Sequence, residues 1–209
     1  MSEPDDYKVR EVNGLELDKK FLEKLKNTCG AVNCVSVFVS DIVLDPGLRL
    51  SCEMNYCGEY GRTWVCPPHC GTIEECIERV RQYRQAAVIQ TIGLLEDSYD
   101  FEGMEAAAKD FDAVFLKAVQ FVKERQACES PAKAALSKEG PEFLFLSAGG
   151  CHRCAECSVS AGEPCRRPGE AFASLESHGI LVSDLAQKAG LNYINGPNTV
   201  TYFGAIFMR

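Results

Sequence analysis

The chain has 209 residues, 46% hydrophobic and 25% charged, an ordinary globular composition with enough material for one well-filled core. Its formal net charge of −8 has the wrong sign for a protein that grips nucleic acid by neutralising phosphates. The longest apolar runs, such as Ala86–Ile89 and Phe143–Leu146, are too short to span a bilayer, so no membrane partner is expected either.

The chain opens Met1-Ser2-Glu3-Pro4-Asp5-Asp6, acidic where an export signal would be basic and then apolar. A cytoplasmic location is expected, with one domain over 1–209 and residues 1–14 as a flexible lead-in. The first helix is predicted over Leu17–Asn27, with Leu17, Phe21 and Leu25 on one face and Gly30 as a stop. A β-branched strand, Val35–Val43, runs to the Asp45-Pro46-Gly47 turn, and a Cys-, Gly- and Pro-rich segment, Cys52–Gly71, follows. Thr72 and Glu75 form a capping-box signature for a helix that turns Ile73, Ile77 and Val80 inward and ends near Gln85.

Ala86–Ile92 is the next strand, and a long amphipathic helix spans about Gly103–Cys128, striped by Met104, Phe111, Phe115, Ala118 and Val122. Residues 129–141 read as a connector. Phe143–Ser147 is a third strand that runs into Gly149, Gly150 and a second cysteine cluster. A short helix over Ser183–Ala189 has Ser183 as its N-cap. Thr199–Met208 closes the chain, apolar on both faces and therefore interior to the sheet. The expected architecture is α/β: a single mixed sheet of about four strands with flanking helices. Strand, cysteine loop, helix and strand occur over residues 35–92 and again over 143–208. If the two leading strands are parallel neighbours, both cysteine-rich loops leave one sheet edge, where open α/β sheets place ligands.

Twelve cysteines decide the class. In a reducing compartment, cysteines bunched at short spacings are metal ligands or reactive thiols, not disulfides. The sharpest signal is Cys151-x2-Cys154-x2-Cys157, with Cys165 eight residues on and preceded by Pro164. Three thiolates at two-residue intervals can wrap one iron–sulfur cubane, each reaching a different iron, and the bacterial ferredoxin run begins with the same spacings. Arg153, Arg166 and Arg167 are placed to offset the charge of such a cluster. Zinc can use the same four thiolates, but its sites come as two separated two-cysteine knuckles. His152 is read as exposed or outside the ligand set.

The second constellation is Cys52-x4-Cys57-x8-Cys66-x3-Cys70, threaded through Tyr56, Tyr60, Trp64, Pro67 and Pro68. Cys66-Pro67 matches the dipeptide that ends the ferredoxin run. Cys66 can therefore close the cluster begun at Cys151 or belong to one of its own. Cys76, beside the inward stripe of its helix, reads as a core thiol, Cys128 as structural, and Cys29 and Cys34 as residues of a helix–strand junction. His69, His152 and His178 have no triad context, and no phosphate-cradling loop, HExxH or nucleophile elbow is present.

The Cys52/Cys57 pair, Tyr60-Gly61-Arg62, Cys66-Pro67-Pro68, the Cys151/Cys154/Cys157 run, Pro164-Cys165-Arg166 and the closing Thr199–Phe207 strand together resemble a prokaryotic family of predicted metal-binding proteins. The resemblance covers the chain from about residue 30. It implies metal binding, usually taken as iron–sulfur, by Cys52, Cys57, Cys66, Cys151, Cys154, Cys157 and Cys165, with no assigned reaction. Cys70 joins the candidate set on spacing alone.

The leading expectation is a protein with one or two 4Fe–4S clusters that passes electrons to or from a redox partner. Two other classes stay open. Seven candidate ligands fill one site with four and leave three for a second, so one iron could stay open for catalysis. A zinc-stabilised interaction module uses the same thiols without redox chemistry.

Overall fold

The computed structural model describes residues 17–129 and 143–209. The lead-in over 1–14, and all but Glu129 of the connector over 129–141, lie outside the described residues.

Helix α1 (Lys19–Cys29) starts where the Asp18 carboxylate accepts a bond from Phe21 N at 2.6 Å and ends at Gly30, φ 84°, whose N–H bonds Lys26 O. Left-handed backbone at that position suits glycine, which has no Cβ to clash. Strand β1 (Asn33–Phe38) stops well short of Val43. Val39 leaves the ladder to bond Arg84 O and opens a 3-10 turn, which sends Val39 and Ile42 into the core instead of alternating across a sheet.

After α2 (Leu48–Glu53), the expected capping box opens α3 (Ile73–Arg81): Thr72 Oγ1 accepts from Glu75 N, and Glu75 Oε2 accepts from Thr72 N. Ile73, Ile77 and Val80 are buried as expected, and so is Cys76. Strand β2 (Gln85–Leu94) leads to α4 (Phe101–Glu129), which begins before Gly103 because Asp100 caps it, accepting from Gly103 N at 2.8 Å. Strand β3 is Phe143–Ser147. Helix α5 (Val182–Lys188) begins one residue ahead of the predicted cap. Its N-cap is Leu181, with no side-chain bond, and Ser183 lies inside the first turn.

The sheet has five strands, not four, in the order β1-β2-β5-β3-β4. The addition is β4 (Ala173–Ser174), parallel to β3 and too short to show alternation in the sequence. Strand β5 (Thr199–Met208) is central, antiparallel to β2 along its whole length and to β3 at its C-terminal half. Its two apolar faces serve two cores. Ala87, Ile89, Phe143, Ile206 and Met208 pack under α1 and α4, while Val88, Leu146, Phe203, Ala205 and Phe207 pack under Val80, Ile180 and Leu185. The result is a sheet with helices on both faces.

The leading strands β1 and β3 are not parallel neighbours. They run antiparallel, with β2 and β5 between them, so their cysteine loops leave opposite ends of the sheet. The loops still meet, because the chain after β1 crosses one face. Leu44 bridges Ile180 and Asp45 N bonds Gly179 O at 2.7 Å, which carries the first loop across to the β3–β4 side.

Gly204 marks a tight contact between the sheet and α4. A Cβ there would lie 2.7 Å from Phe115 Cε2 and 3.1 Å from Leu146 O. Gly204→Ala is expected to destabilise by about 1–3 kcal/mol through overpacking, measurable as a lower midpoint in urea with an unchanged slope.

Candidate metal centre

The second cysteine loop is folded by its own polar bonds. Gly150 follows β3 and backs onto the first loop so closely that a Cβ would lie 2.6 Å from Glu59 Cγ. The chain then passes Cys151, Cys154 and Cys157 and enters a 3-10 turn, Ser158–Ala161. Buried Ser158 donates its hydroxyl to Pro164 O at 2.8 Å, and Glu163 N bonds Ser158 O at 3.0 Å. Those bonds fold the Pro164-Cys165 dipeptide back beside the x2 run. Arg166 Nη1 bonds Glu156 O at 3.2 Å and reinforces the return.

Arg153 ties this loop to the scaffold. Its Nη2 stands 3.3 Å from Asp112 Oδ1 on α4, and its Nε donates to Glu170 O at 3.2 Å. Burial raises the Asp112 carboxyl and the Arg153 guanidinium offsets it. Trp64 Nε1 donates to Glu163 O at 3.0 Å and joins the first loop to the second.

The outcome is one cavity of about 390 Å³ lined by Cys151, Cys154, Cys157 and Cys165 together. Arg153, Arg166 and Arg167 line it as well, as do Glu59, Gly61, Arg62 and Thr63 of the first loop. Burial pushes the Cys151 thiol up, Cys165 and Cys157 press it the same way, and the Arg153 amide and guanidinium pull it down. These thiols therefore sense one another's charge. His152 is exposed at the rim.

The first loop has its own scaffold. Cys52 sits on α2 and Cys57 in the turn after it, shaped by Asn55 (φ 55°) and Gly58 (φ 76°). Asn55 Oδ1 accepts from Tyr60 N at 2.9 Å, and Gly61 N bonds Pro67 O at 2.7 Å, which closes the loop on the buried Cys66. Cys57 is exposed and Cys52 half-buried. Burial raises the Cys66 thiol, and Glu59, Cys57 and Cys52 add to the rise, so the three thiols share one neighbourhood. Burial also raises Cys52, opposed by Arg49.

Cys70 is placed differently. Its carbonyl accepts from Cys76 Sγ at 3.6 Å, and its backbone N–H bonds Cys66 O at 3.1 Å. Spacing carries no sign of the residues gathered near Cys76, because Arg49 and His178 come from distant stretches of the chain. Cys29 and Cys34 belong to the core under α1 and α4, where burial raises both thiols, Cys34 to about 12.

All described cysteines are free thiols. Among the described residues, no three His, Cys, Asp or Glu side chains are drawn together as tightly as on a single ion. Ligands of a multinuclear cluster stand on different metal atoms and so lie further apart than those of a single ion. An all-thiol donor set fits soft-ligand metals and iron–sulfur clusters, not magnesium or calcium. Among the described residues, no helix is long and apolar enough to cross a membrane. Searches of curated proteins and of solved structures returned no match. A family model does match, over residues 36–208, a span that runs from within β1 to the end of β5 and includes both cysteine loops. By that match the chain belongs to the family described as predicted metal-binding protein (DUF2284).

Proposed function

We propose that Cys151, Cys154, Cys157 and Cys165 hold a 4Fe–4S cluster and that the protein transfers electrons to or from a redox partner in a reducing compartment, the cytoplasm. The observation that carries this reading is the single cavity lined by all four thiols and four guanidiniums, those of Arg62, Arg153, Arg166 and Arg167. A cluster held there would take up and return single electrons. The chain's own residues supply the setting. Arg153, Arg166 and Arg167 offset thiolate charge, Asp112 fixes the orientation of Arg153, and Trp64 keeps the first loop closed over the second.

Protein purified without oxygen is expected to contain iron and acid-labile sulfide in equal amounts, with an EPR signal after reduction by dithionite. Colourless protein carrying stoichiometric zinc and no sulfide overturns this reading and supports a zinc-stabilised module.

A second reading rests on the first loop. Cys52, Cys57 and Cys66 share one neighbourhood, while Cys70 is tied through its carbonyl to Cys76 Sγ. Three thiolates on a second cluster would leave one iron open as a Lewis acid, and the protein would then be an enzyme. Iron above four per chain, with a spectrum changed by added cyanide, supports that reading; four irons and no change opposes it.

A further inference from the structure

Strands β2 and β3 both run antiparallel to β5, so their C-terminal ends leave the same end of the sheet. The second cysteine loop follows β3 there, and the turn over residues 95–100 follows β2. That turn is firmly bonded. Leu95 N donates to Asn198 O at 2.9 Å, and Asn198 Nδ2 donates to Glu96 O at 3.0 Å. The Asp100 carboxylate accepts from Glu96 N at 3.0 Å and from Gly103 N at 2.8 Å, and Asp97 Oδ1 accepts from Tyr99 N at 2.7 Å.

The turn nonetheless presents its apolar side chains to solvent. Leu94, Tyr99 and Phe101 are 84%, 78% and 73% exposed. The loop after α5 adds Ile194, also 78% exposed. The next residue, Asn195, donates its Nδ2 to Thr201 Oγ1 at 2.9 Å, and Thr201 pairs with Ile92, two positions before Leu94. Four large apolar side chains gathered at one end of the sheet differ from the singly scattered ones ordinary on a surface. Held on a bonded turn, they lose little freedom on contact with a partner.

The charge around them has one sign. Residues 85–108 carry five carboxylates, those of Glu96, Asp97, Asp100, Glu102 and Glu105, and no lysine or arginine. Residues 189–208 carry no charge at all. The next lysine along the chain, Lys109, is already paired with Glu105 at 2.8 Å. Two copies meeting through this surface would press carboxylate on carboxylate, so the charge selects a basic partner over a second copy.

Helix α4 connects this surface to the thiol cavity. Phe101 and Asp112 lie three turns apart on one side of the helix, about 16 Å along its axis. Asp112 Oδ1 stands 3.3 Å from Arg153 Nη2, and Arg153 lines the cavity.

We infer that the Leu94–Phe101 turn, with Ile194 beside it, is the docking surface for the redox partner. That partner is a one-electron carrier protein whose docking face has an apolar centre ringed by lysines. The inference rests on the electron-transfer reading and adds the chemistry of the partner to it. The apolar side chains anchor the centre of the interface, and the carboxylates steer the approach. One electron passes between this protein and the partner's metal centre, with no bond made or broken and no proton moved.

The test uses the full, metal-loaded chain, reduced by dithionite, with a lysine-rich cytochrome c as the probe. Its rate of reducing the ferric cytochrome is expected to fall at least about tenfold between about 0.01 and 0.15 M ionic strength. Glu96→Gln combined with Glu102→Gln spares the turn, because neither carboxylate takes part in its bonds. That pair should lower the low-salt rate about tenfold and flatten the salt dependence. Leu94→Ser combined with Phe101→Ser should lower the rate at every salt concentration. Neither pair should change far-UV circular dichroism or the rate with a small uncharged quinone.

Carbodiimide coupling with peptide mass mapping gives a readout independent of any metal, and should join Glu96 or Glu102 to lysines of the cytochrome. Variants that reduce the cytochrome as fast as wild type overturn the inference. Links from these carboxylates to Lys8 of the same chain, or to a second copy, overturn it equally by giving the surface another occupant. Coupling to the cytochrome by a chain that holds no cluster keeps the docking surface and overturns the iron–sulfur reading. A loaded chain that reduces the quinone but does not couple keeps that reading and overturns the docking surface.

Discussion

Replacing Cys154 by alanine is expected to empty the second-loop site while the fold persists. Cys154 lines the cavity with Cys151, Cys157 and Cys165, yet belongs to neither hydrophobic core. The bonds that shape its loop come from Arg153, Ser158, Ser160 and Arg166, and all of them survive the change. Loss of a partner that merely orients a ligand costs about 10–100-fold in metal affinity, and loss of the ligand itself should exceed about 100-fold. The measurement is metal and sulfide per chain beside far-UV circular dichroism, which should not move. Cys165→Ala should match it, because the Ser158–Pro164 bond brings that thiol back to the run. Cys57→Ala should leave this site loaded, since Cys57 does not line the cavity. Full retention of metal by Cys154→Ala would show that the cavity is not the site.

Phe115→Ala is expected to give the largest loss of stability of any single change considered. The ring is fully buried on α4, stacks on Phe111 with centroids 5.8 Å apart and meets Phe172 edge-on at 5.5 Å. Truncating a buried phenylalanine costs about 3–5 kcal/mol, and for a chain of this size each kcal/mol lowers Tm by about 2–4 °C. Two consequences separate this position from other core sites. Phe172 lies beside Cys151, Arg153 and Asp112 under the second loop, so a loosened Phe172 should weaken metal retention as well as the fold. Gly204 faces the same ring, so Gly204→Ala should cost less in the Phe115→Ala background than in wild type. A double-mutant cycle with no coupling between the two would contradict the contact.

Much of the fold was legible before any coordinates, because local rules governed it. The Thr72/Glu75 box is a bond pattern within one turn, and α3 starts where that pattern requires. Phe143–Ser147 and the closing strand carry apolar runs bounded by turn residues, and both appear within a residue or so of their expected limits. The errors sit where tertiary contacts overrode local preference. Val39 and Ile42 are β-branched, yet they turn away from the ladder because Arg84 and the α3–α5 layer offer them burial. Two-residue β4 exists only because β3 is beside it to pair with. At α5, Ser183 looked like a cap, but helical hydrogen bonding already begins at Val182 and the serine is carried into the first turn.

The same division holds for the site. Residue type and spacing were enough to name Cys151, Cys154, Cys157 and Cys165 as a group, because ligands within one loop are constrained by short stretches of chain. Belonging to a metal-binding family follows from those same motifs. Spacing could not say where the other thiols point. Cys66 and Cys70 are four residues apart on one turn, but one joins Cys52 and Cys57 while the other is bonded through its carbonyl to Cys76 Sγ. Nor could it place Arg49, Arg79 and His178 around Cys76, since three separate segments must fold onto one another to do so. By itself the sequence determined that cysteine sulfur is this protein's chemistry. Only the tertiary structure decided which sulfurs line a common cavity and which are buried in the core, because that depends on long-range packing across the sheet face.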